Sequence, residues 1–596
     1  MSFFSELKRR NVLNMAMAYL AASWLVIQVA DTMFPVYGLG NGALNVLITA
    51  LAIGFPFFLL LSWVFRLTPQ GFRREINEGH WVPSAGPGGK RWNSGIIVIL
   101  ALALGYFAFD KFVLEPARDD ELTEEAFLQA RSQTRVDSYR DKSIVVLPFA
   151  NMSEDASNVY FSDGIAEEIL NLLAKIPELR VVSHSSAFAF RGRDIYIPDL
   201  ARKLNVTHVL EGSVRKAGNR VRIAVQLIDA YSDIHLWSEI YDRPIDNIFA
   251  IQEEISLAVA EAMKVTLIGN PPVTEFTSTE AHELFLQGIY FYHKRTVENY
   301  GKAIDYLNRS LALDPDFSPA WIGLGSAYSI QARMGTMSYD VGYQLARDAS
   351  ERAINLDPDN ALARSLRAWV AMTYERDYAL AASNFRRALD LQPNNTAVLA
   401  NSATLAGNLG RLPRSIELNH KALKLDPTLT VVYTNLSQQF SRLGRLEDAE
   451  SNLRKALELN PEMYGAPGYL AIVRILQGKP DAALELGGKI KLEHLKRVVL
   501  AIANYDMGDV AESNRALEAF IKGYADTRAY YIAWVYAWRR EYDSAFEWLT
   551  RAIDENQDID SIKTEVMLQN LHEDPRWKEA LTKLGLDDSQ VAAIEI

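Results

Sequence analysis

Two groups of polar residues in the middle of the chain could carry out chemistry. Asp163, Glu167 and Glu168 lie near a predicted helix start, and residues 184–186 read His-Ser-Ser. Carboxylates can act as general acids or bases, and a histidine can activate a serine hydroxyl. Neither group has a second histidine or a glycine-rich oxyanion loop at a diagnostic spacing. Helix capping, a solvated helix face and a strand-end turn account for both groups, so we predict no catalytic residues and no enzyme.

The composition excludes further classes of site. The chain has 596 residues, 62 Lys and Arg against 74 Asp and Glu, a formal net charge of −12, and no cysteine. Without cysteine, disulfides, thiolate zinc sites, iron–sulfur clusters and cysteine nucleophiles are impossible. An acidic chain is also poorly suited to wrapping nucleic acid, because phosphate contacts need concentrated Lys and Arg. We therefore expect no metal site, no cofactor and no nucleic-acid partner.

Three apolar segments near the start predict membrane-spanning helices at about residues 11–31, 43–65 and 93–112. Each is close to the length that crosses a hydrocarbon core of about 30 Å. Basic residues precede the first segment and fill the loop 66–92, so the positive-inside rule places both in the cytoplasm. The sequence thus predicts a membrane domain over residues 1–113 in contact with the lipid bilayer. The expected location is the bacterial inner membrane, multi-pass, with a cytoplasmic N-terminus and periplasmic C-terminal domains.

A charged linker, predicted to be helical over residues 114–141, leads to a region of alternating strands and helices. Residues 143–149 have the pattern of a buried strand, residues 206–227 that of a β-hairpin, and residues 248–263 that of an amphipathic helix. We predict an α/β domain over residues 142–268, followed by a linker at 269–279.

The middle domain resembles a known family. Its runs SIVVLPFANMSED, YFSDGIAEEILNLLAKI, LRVVSHSSAFAFRGR, VLEGSVRKAGNRVRIAVQLIDAYSDIHLWSEIYDR and IFAIQEEISLAV are similar to the TolB amino-terminal-like domain. In bacteria that domain precedes TPR repeats, notably in TPR-containing adenylate cyclases and CadC-like regulators. The resemblance implies an interaction or assembly role. We expect no counterpart of the cytoplasmic output domain of those proteins, because only about ten residues precede the first apolar segment.

Five prolines mark a repeat in the second half of the chain. Pro315, Pro358, Pro393, Pro427 and Pro461 are separated by 43, 35, 34 and 34 residues. A period of 34 residues is the signature of TPR helix pairs. We predict an all-α TPR solenoid of about eight helix pairs over residues 280–596.

The first helix of each TPR pair lines the concave side of the solenoid, so groove positions on these helices are candidate ligand contacts. Projecting the family's groove positions gives Arg367, Val370, Tyr374, Asn401, Asn435, Gln438 and Arg442. The alternative is that these are merely exposed helix residues. The lysine and asparagine set of carboxylate-clamp TPRs is incomplete, which disfavours binding of a chaperone C-terminus.

The leading prediction is a membrane-anchored periplasmic TPR scaffold or sensor that binds protein or peptide ligands. One alternative is a receptor or regulatory component of a cyclase-like system whose catalytic domain is on another chain. A second alternative is a cell-envelope assembly or transport factor. The sequence is compatible with a homo-oligomer.

Overall fold

A computed structural model describes residues 142–596 except 194–195, 266–276, 462, 464, 558 and 560. Before residue 142 it describes 65–68, 71–74 and scattered positions between 19 and 55. The chain forms two compact units, residues 1–115 and 116–596. The predicted linker 114–141 lies outside the described residues.

In the first unit, β1 (Phe65–Thr68) pairs with β2 (Gly71–Arg74) in an antiparallel hairpin. No helix in the described part of the chain is long and apolar enough to cross a bilayer. The prediction of three membrane-spanning helices is therefore wrong, and so is the inner-membrane location with periplasmic domains that depended on it. An apolar run of about 20 residues shows only that the composition permits a crossing helix. Most of residues 11–31 and 43–65, and all of 93–112, lie outside the described residues.

The second unit begins with an α/β region. Its strands are β3 (Ser143–Val146), β4 (Ala150–Asn151), β5 (Arg180–Val181), β6 (His208–Ala217), β7 (Arg220–Asp229) and β8 (Ile234–Pro244). The sheet order is β5-β3-β6-β7-β8, with β4 also pairing with β6. β3 runs parallel to β5 and β6, whereas β6, β7 and β8 form an antiparallel meander. Gly218, at a φ of 58°, makes the tight turn between β6 and β7.

Helices pack against this sheet at α1 (Val159–Ala174), α2 (His184–Phe188), α3 (Ile197–Leu204) and α4 (Ile248–Ala262). Ile144 and Val146 of β3 belong to one core with α1 and α4, and Val145 belongs to a second core with α3. All three side chains are fully buried. Because both faces of β3 are covered, its sequence is a continuous apolar run instead of an alternating pattern.

The remainder of the unit is a helical solenoid, and its described part contains eight consecutive helix pairs. They are α5 (Thr279–Tyr292) with α6 (Val297–Leu313), α7 (Ser318–Met334) with α8 (Tyr339–Leu356), α9 (Ala361–Val370) with α10 (Tyr378–Leu391), α11 (Thr396–Asn408) with α12 (Leu412–Leu425), α13 (Thr430–Arg442) with α14 (Leu446–Leu459), α15 (Ala466–Leu476) with α16 (Pro480–Glu485), α17 (Glu493–Asp506) with α18 (Val510–Tyr524), and α19 (Ala529–Trp538) with α20 (Tyr542–Asp554). Two short helices, α21 (Pro575–Lys583) and α22 (Asp588–Val591), close the chain.

Small side chains allow the paired helices to approach closely. Ala353, Ala388, Ala422 and Ala456 recur near the ends of second helices, and all four are fully buried. The proline two residues after α6, α8, α10 and α12 cannot continue a helix, which explains why these helices end where they do.

The α/β region and the start of the solenoid share one hydrophobic core. This core joins Ile165 and Ile169 of α1 to Leu286 of α5 and Leu307 of α6. The close approach of α1 to α5 depends on Gly164, since a Cβ there would lie 2.6 Å from Leu286 Cδ2. The first helix pair therefore packs directly onto the α/β region.

Candidate ligand-binding cavity

A cavity of about 710 Å³ lies on the inner side of the solenoid. The first helices of five consecutive pairs, α7, α9, α11, α13 and α15, contribute to its wall. The α/β region contributes part of α1 and the segment 181–185. First helices line the concave surface of TPR solenoids in general, and this surface is where such repeats present their binding residues.

Four of the seven sequence-predicted groove residues line this cavity. They are Asn401 on α11 and Asn435, Gln438 and Arg442 on α13. The Asn401 amide donates to Ser365 Oγ at 3.2 Å, and Arg442 Nη1 donates to Gln439 Oε1 at 3.1 Å. Within the described part of the chain, the side-chain amides of Asn435 and Gln438 make no hydrogen bond. Their role as ligand contacts stays a prediction.

The other three predicted groove residues do not line the cavity. Arg367 is 9% exposed and forms an ion pair with Glu375 at 2.8 Å. Val370 is fully buried, and the Tyr374 ring stacks on Tyr343 with centroids 5.5 Å apart. These side chains pack within and beside their own repeat. The residues of α9 that do face the cavity are Leu362, Ser365, Leu366 and Trp369.

The α/β region closes part of the cavity through contacts with loops between the solenoid helices. The buried Arg180 side chain donates to the carbonyl of Leu425. Asn394 Nδ2 donates to the carbonyl of Pro177 at 3.1 Å. Such long-range contacts are not detectable by local sequence pattern, because their partners lie more than two hundred residues apart in the sequence.

Glu167, His184 and His293 meet at the edge of the cavity, and all three line it. Glu167 Oε1 lies 2.9 Å from His293 Nε2, and Glu167 Oε2 lies 3.4 Å from His184 Nε2. The two imidazole rings stack with centroids 3.8 Å apart. Glu167 and His184 belong to the two polar groups that the sequence made candidates, whereas His293 was not predicted, because its position after α5 carries no motif.

The two histidines govern the charge of Glu167. Burial opposes ionisation of the carboxyl, but the positive potential of His293 and His184 and the hydrogen bond to His293 lower its pKa to about 2. Burial lowers the pKa of His184 to about 4, although Glu167 acts in the opposite direction. At neutral pH, Glu167 is therefore an anion and His184 a neutral imidazole.

The remaining residues of the two polar groups have structural partners. Asp163 pairs with Arg191, and burial raises the pKa of Asp163 to about 6 against the effect of that arginine. Glu168 Oε1 lies 2.7 Å from Nε2 of the buried His282. Ser183, not His184, caps α2, since its hydroxyl accepts from the backbone N–H of Ser186.

One helix pair of the solenoid matches a known repeat family. The tetratricopeptide repeat family model matches residues 431–463, which cover α13 and α14. The solenoid therefore contains a tetratricopeptide repeat. Because the match covers one helix pair, it supports the TPR prediction and says nothing of the α/β region.

A curated relative matches part of the chain. The chain is 38% identical over 186 residues to "Putative adenylate cyclase 3" of Rhizobium meliloti (strain 1021). The match covers 30% of this chain and 32% of that protein, so the chain spans about a third of the relative's length. 

Two solved structures to which part of the chain is similar are PilF of Pseudomonas aeruginosa and the type IV pilus biogenesis factor PilW. PilF is 19% identical with a TM-score of 0.29, covering 35% of this chain and 93% of its own. PilW is 14% identical with a TM-score of 0.31, covering 40% of this chain and 100% of its own.

Proposed function

We propose that this chain is a non-catalytic scaffold or sensor whose solenoid cavity binds an extended peptide segment of a partner protein. The cavity runs across the first helices of five consecutive repeats, which suits an elongated ligand better than a compact one. TPR folds bind protein or peptide partners in general, and the solenoid carries such a repeat.

The observation that carries the proposal is the pair of amides on α13. Asn435 and Gln438 are three residues apart, lie on the same face of the helix and both line the cavity. An amide side chain donates and accepts, so it can pair with the N–H and C=O groups of an extended peptide backbone. Other side chains of the cavity wall, such as Trp369 and Tyr469, provide surface for the peptide's side chains.

We also propose that residues 142–268 form a TolB amino-terminal-like domain that serves as one wall of the cavity. The sequence resemblance supports this assignment, and the contribution of residues 181–185 to the cavity lining supports the role. In this arrangement a bound peptide contacts both the α/β region and the repeats, so binding is communicated between them.

A second candidate function is that of a regulatory component in a cyclase-like signalling system with its catalytic domain on another chain. The partial identity with the Rhizobium meliloti protein favours it. If the purified full chain converted ATP to cyclic AMP at a measurable rate, the non-catalytic proposal would be overturned. A change in the rate of a separate cyclase on addition of the full chain would support the regulatory role.

The test of peptide binding is selection of a random peptide library on the immobilised full chain, followed by affinity measurement. We expect selected peptides to lose about tenfold or more in affinity for the variant N435A/Q438A, because two buried hydrogen bonds are lost. Asn308, exposed on α6 and outside the cavity lining, offers the control N308A, which should bind as the wild type does. Equal affinity for all three proteins would refute the cavity as the peptide site.

A further inference from the structure

The cluster of Glu167, His184 and His293 has the composition of a metal site. Their nearest ligand atoms, one carboxylate oxygen and two ring nitrogens, all lie within 4.8 Å of one another. The absence of cysteine and the local spacing of the polar residues predicted no metal site, since neither brings these three residues together. Two histidines and one carboxylate are nevertheless a common ligand set for zinc and for iron.

The carboxylate oxygens and the two ring nitrogens lie close together. Nε2 of His293 and Nε2 of His184 lie 2.9 Å and 3.4 Å from different oxygens of the same Glu167 carboxylate. Donors around a tetrahedral zinc ion at 2.0–2.1 Å are about 3.4 Å apart. The two imidazole rings are stacked, so an ion bound by both nitrogens requires at least one ring to rotate until its Nε2 lone pair points at the ion.

The charges of the three groups suit a divalent cation. A carboxylate supplies a negative charge and two imidazoles supply nitrogen lone pairs, which together form a suitable donor set for such an ion. Two cations lie nearby: Arg191 is paired with Asp163, and Arg295 lines the same cavity. All three ligands are only partly exposed, so the site is shielded from bulk solvent on the protein side and open toward the cavity.

We propose that Glu167, His184 and His293 bind a divalent transition-metal ion of the zinc type. Three protein ligands leave at least one coordination position, and this position faces the cavity and is filled by water when no other ligand is present. The proposal does not depend on the proposed peptide function, because metal binding is measured without peptide.

The bound ion would fasten the two regions of the second unit to each other. Glu167 lies on α1 and His184 begins α2, both in the α/β region, whereas His293 directly follows α5 of the solenoid. An ion that binds only when these ligands are assembled stabilises the folded state by mass action. Zinc should accordingly raise the melting temperature of the full chain.

The test uses the full chain, purified without a polyhistidine tag and stripped with a chelator. Titration calorimetry with Zn²⁺ should show one equivalent bound per chain with a Kd below about 1 μM, in the range of three-ligand protein sites. Co²⁺ bound at the same site should give visible absorption that Zn²⁺ abolishes. The single variants H184Q and H293Q should each weaken Zn²⁺ binding by at least tenfold and lose the zinc-dependent rise in melting temperature.

The matched control is H235Q, because His235 is an exposed histidine on β8 outside the cluster. It should bind Zn²⁺ like the wild type. Far-ultraviolet circular dichroism of each metal-free variant establishes that it is folded. The proposal is overturned if the wild type binds less than half an equivalent of Zn²⁺ at 10 times the expected Kd, or if folded H184Q and H293Q bind it unchanged. If either variant does not fold, absence of a zinc-dependent rise in the wild-type melting temperature overturns it equally.

Discussion

The carboxylate of Asp426 accepts two hydrogen bonds from Ser183, one from the backbone N–H at 3.1 Å and one from the hydroxyl at 2.6 Å. Asp426 is fully buried and lies in the loop after α12, whereas Ser183 caps α2 of the α/β region. The same carboxylate is the main anion acting on the buried Arg180, whose pKa burial lowers to about 10. This contact holds the α/β region against the solenoid at the cavity wall.

Replacing Asp426 with asparagine should therefore loosen this wall. D426N keeps the side-chain volume but removes the main anion acting on the buried Arg180 and the negative charge that accepts both hydrogen bonds from Ser183, which costs about 1–3 kcal/mol of local stability. Amide hydrogen exchange should become faster in residues 180–188. The matched control is D357N, since Asp357 occupies the equivalent position after α8 and accepts only from neighbouring Asp359 and Asn360. Unchanged exchange in D426N would show that the charge of the Asp426 carboxylate is not important for the wall.

Gly164 is the point at which α1 and α5 approach most closely. G164A places a methyl group 2.6 Å from Leu286 Cδ2 and 3.0 Å from Leu286 Cγ, and Leu286 is only 1% exposed. Overpacking outweighs the better helix propensity of alanine, so we expect a loss of about 1–2 kcal/mol. Calorimetric melting of the full chain measures this as a lower transition temperature.

Alanine at position 301 should raise the stability of the protein, whereas alanine at position 164 should lower it. Gly301 lies inside α6 and is exposed, and a Cβ there would meet only Gln331 Nε2 at 4.0 Å. G301A should stabilise α6 by up to about 1 kcal/mol through helix propensity. If G164A and G301A shifted the transition alike, close packing between α1 and α5 would not be the cause.

We expect the stability of the solenoid to decrease in acid because of His494. Burial and, second, the cation of Arg528 lower its pKa to about 3, and its ring packs against Tyr531 with centroids 4.7 Å apart. Because the unfolded histidine binds a proton below about pH 6.5 and the folded one does not, stability falls as pH decreases from 6.5 toward 3. Roughly 2 kcal/mol should be lost by pH 5.

The measurement for His494 is the melting temperature between pH 7 and pH 5. H494F should lose less stability over this range than the wild type, because phenylalanine cannot bind a proton. H235Q, which changes an exposed histidine, should follow the wild type. If the melting temperatures of the wild type and H494F fell equally between pH 7 and pH 5, protonation of His494 would not be the cause of the loss.

The sequence predicts those parts of the fold that local patterns determine. The 34-residue spacing of prolines indicated TPR repeats, and the family match confirms one of them at residues 431–463. The apolar runs before residue 113 led to a wrong prediction, because hydrophobicity and length are necessary for a crossing helix but do not establish one. The hairpin at 65–74 was not predicted, since its sequence FRLTPQGFRR alternates over too few residues to stand out.

Less of the candidate cavity could be predicted from the sequence. Projection of groove positions placed Asn435 and Gln438 at the cavity but also chose Val370, which is fully buried, because a small rotational error on a helix exchanges a groove position for a core position. His293 gave no signal at all. His293 lies near Glu167 and His184 because α5 packs on α1. That packing is a tertiary contact, which no local sequence pattern reveals.

The central claim, that the inner side of the solenoid binds a peptide, is tested most directly by locating a selected peptide on the full chain. A peptide from the library selection, carrying one benzophenone photo-crosslinker, is irradiated with the protein and the crosslinked residues are identified by mass spectrometry. We predict crosslinks in residues 396–408 and 430–442, which are α11 and α13. Crosslinks confined to the second helices α12 and α14, which do not line the cavity, would contradict the account.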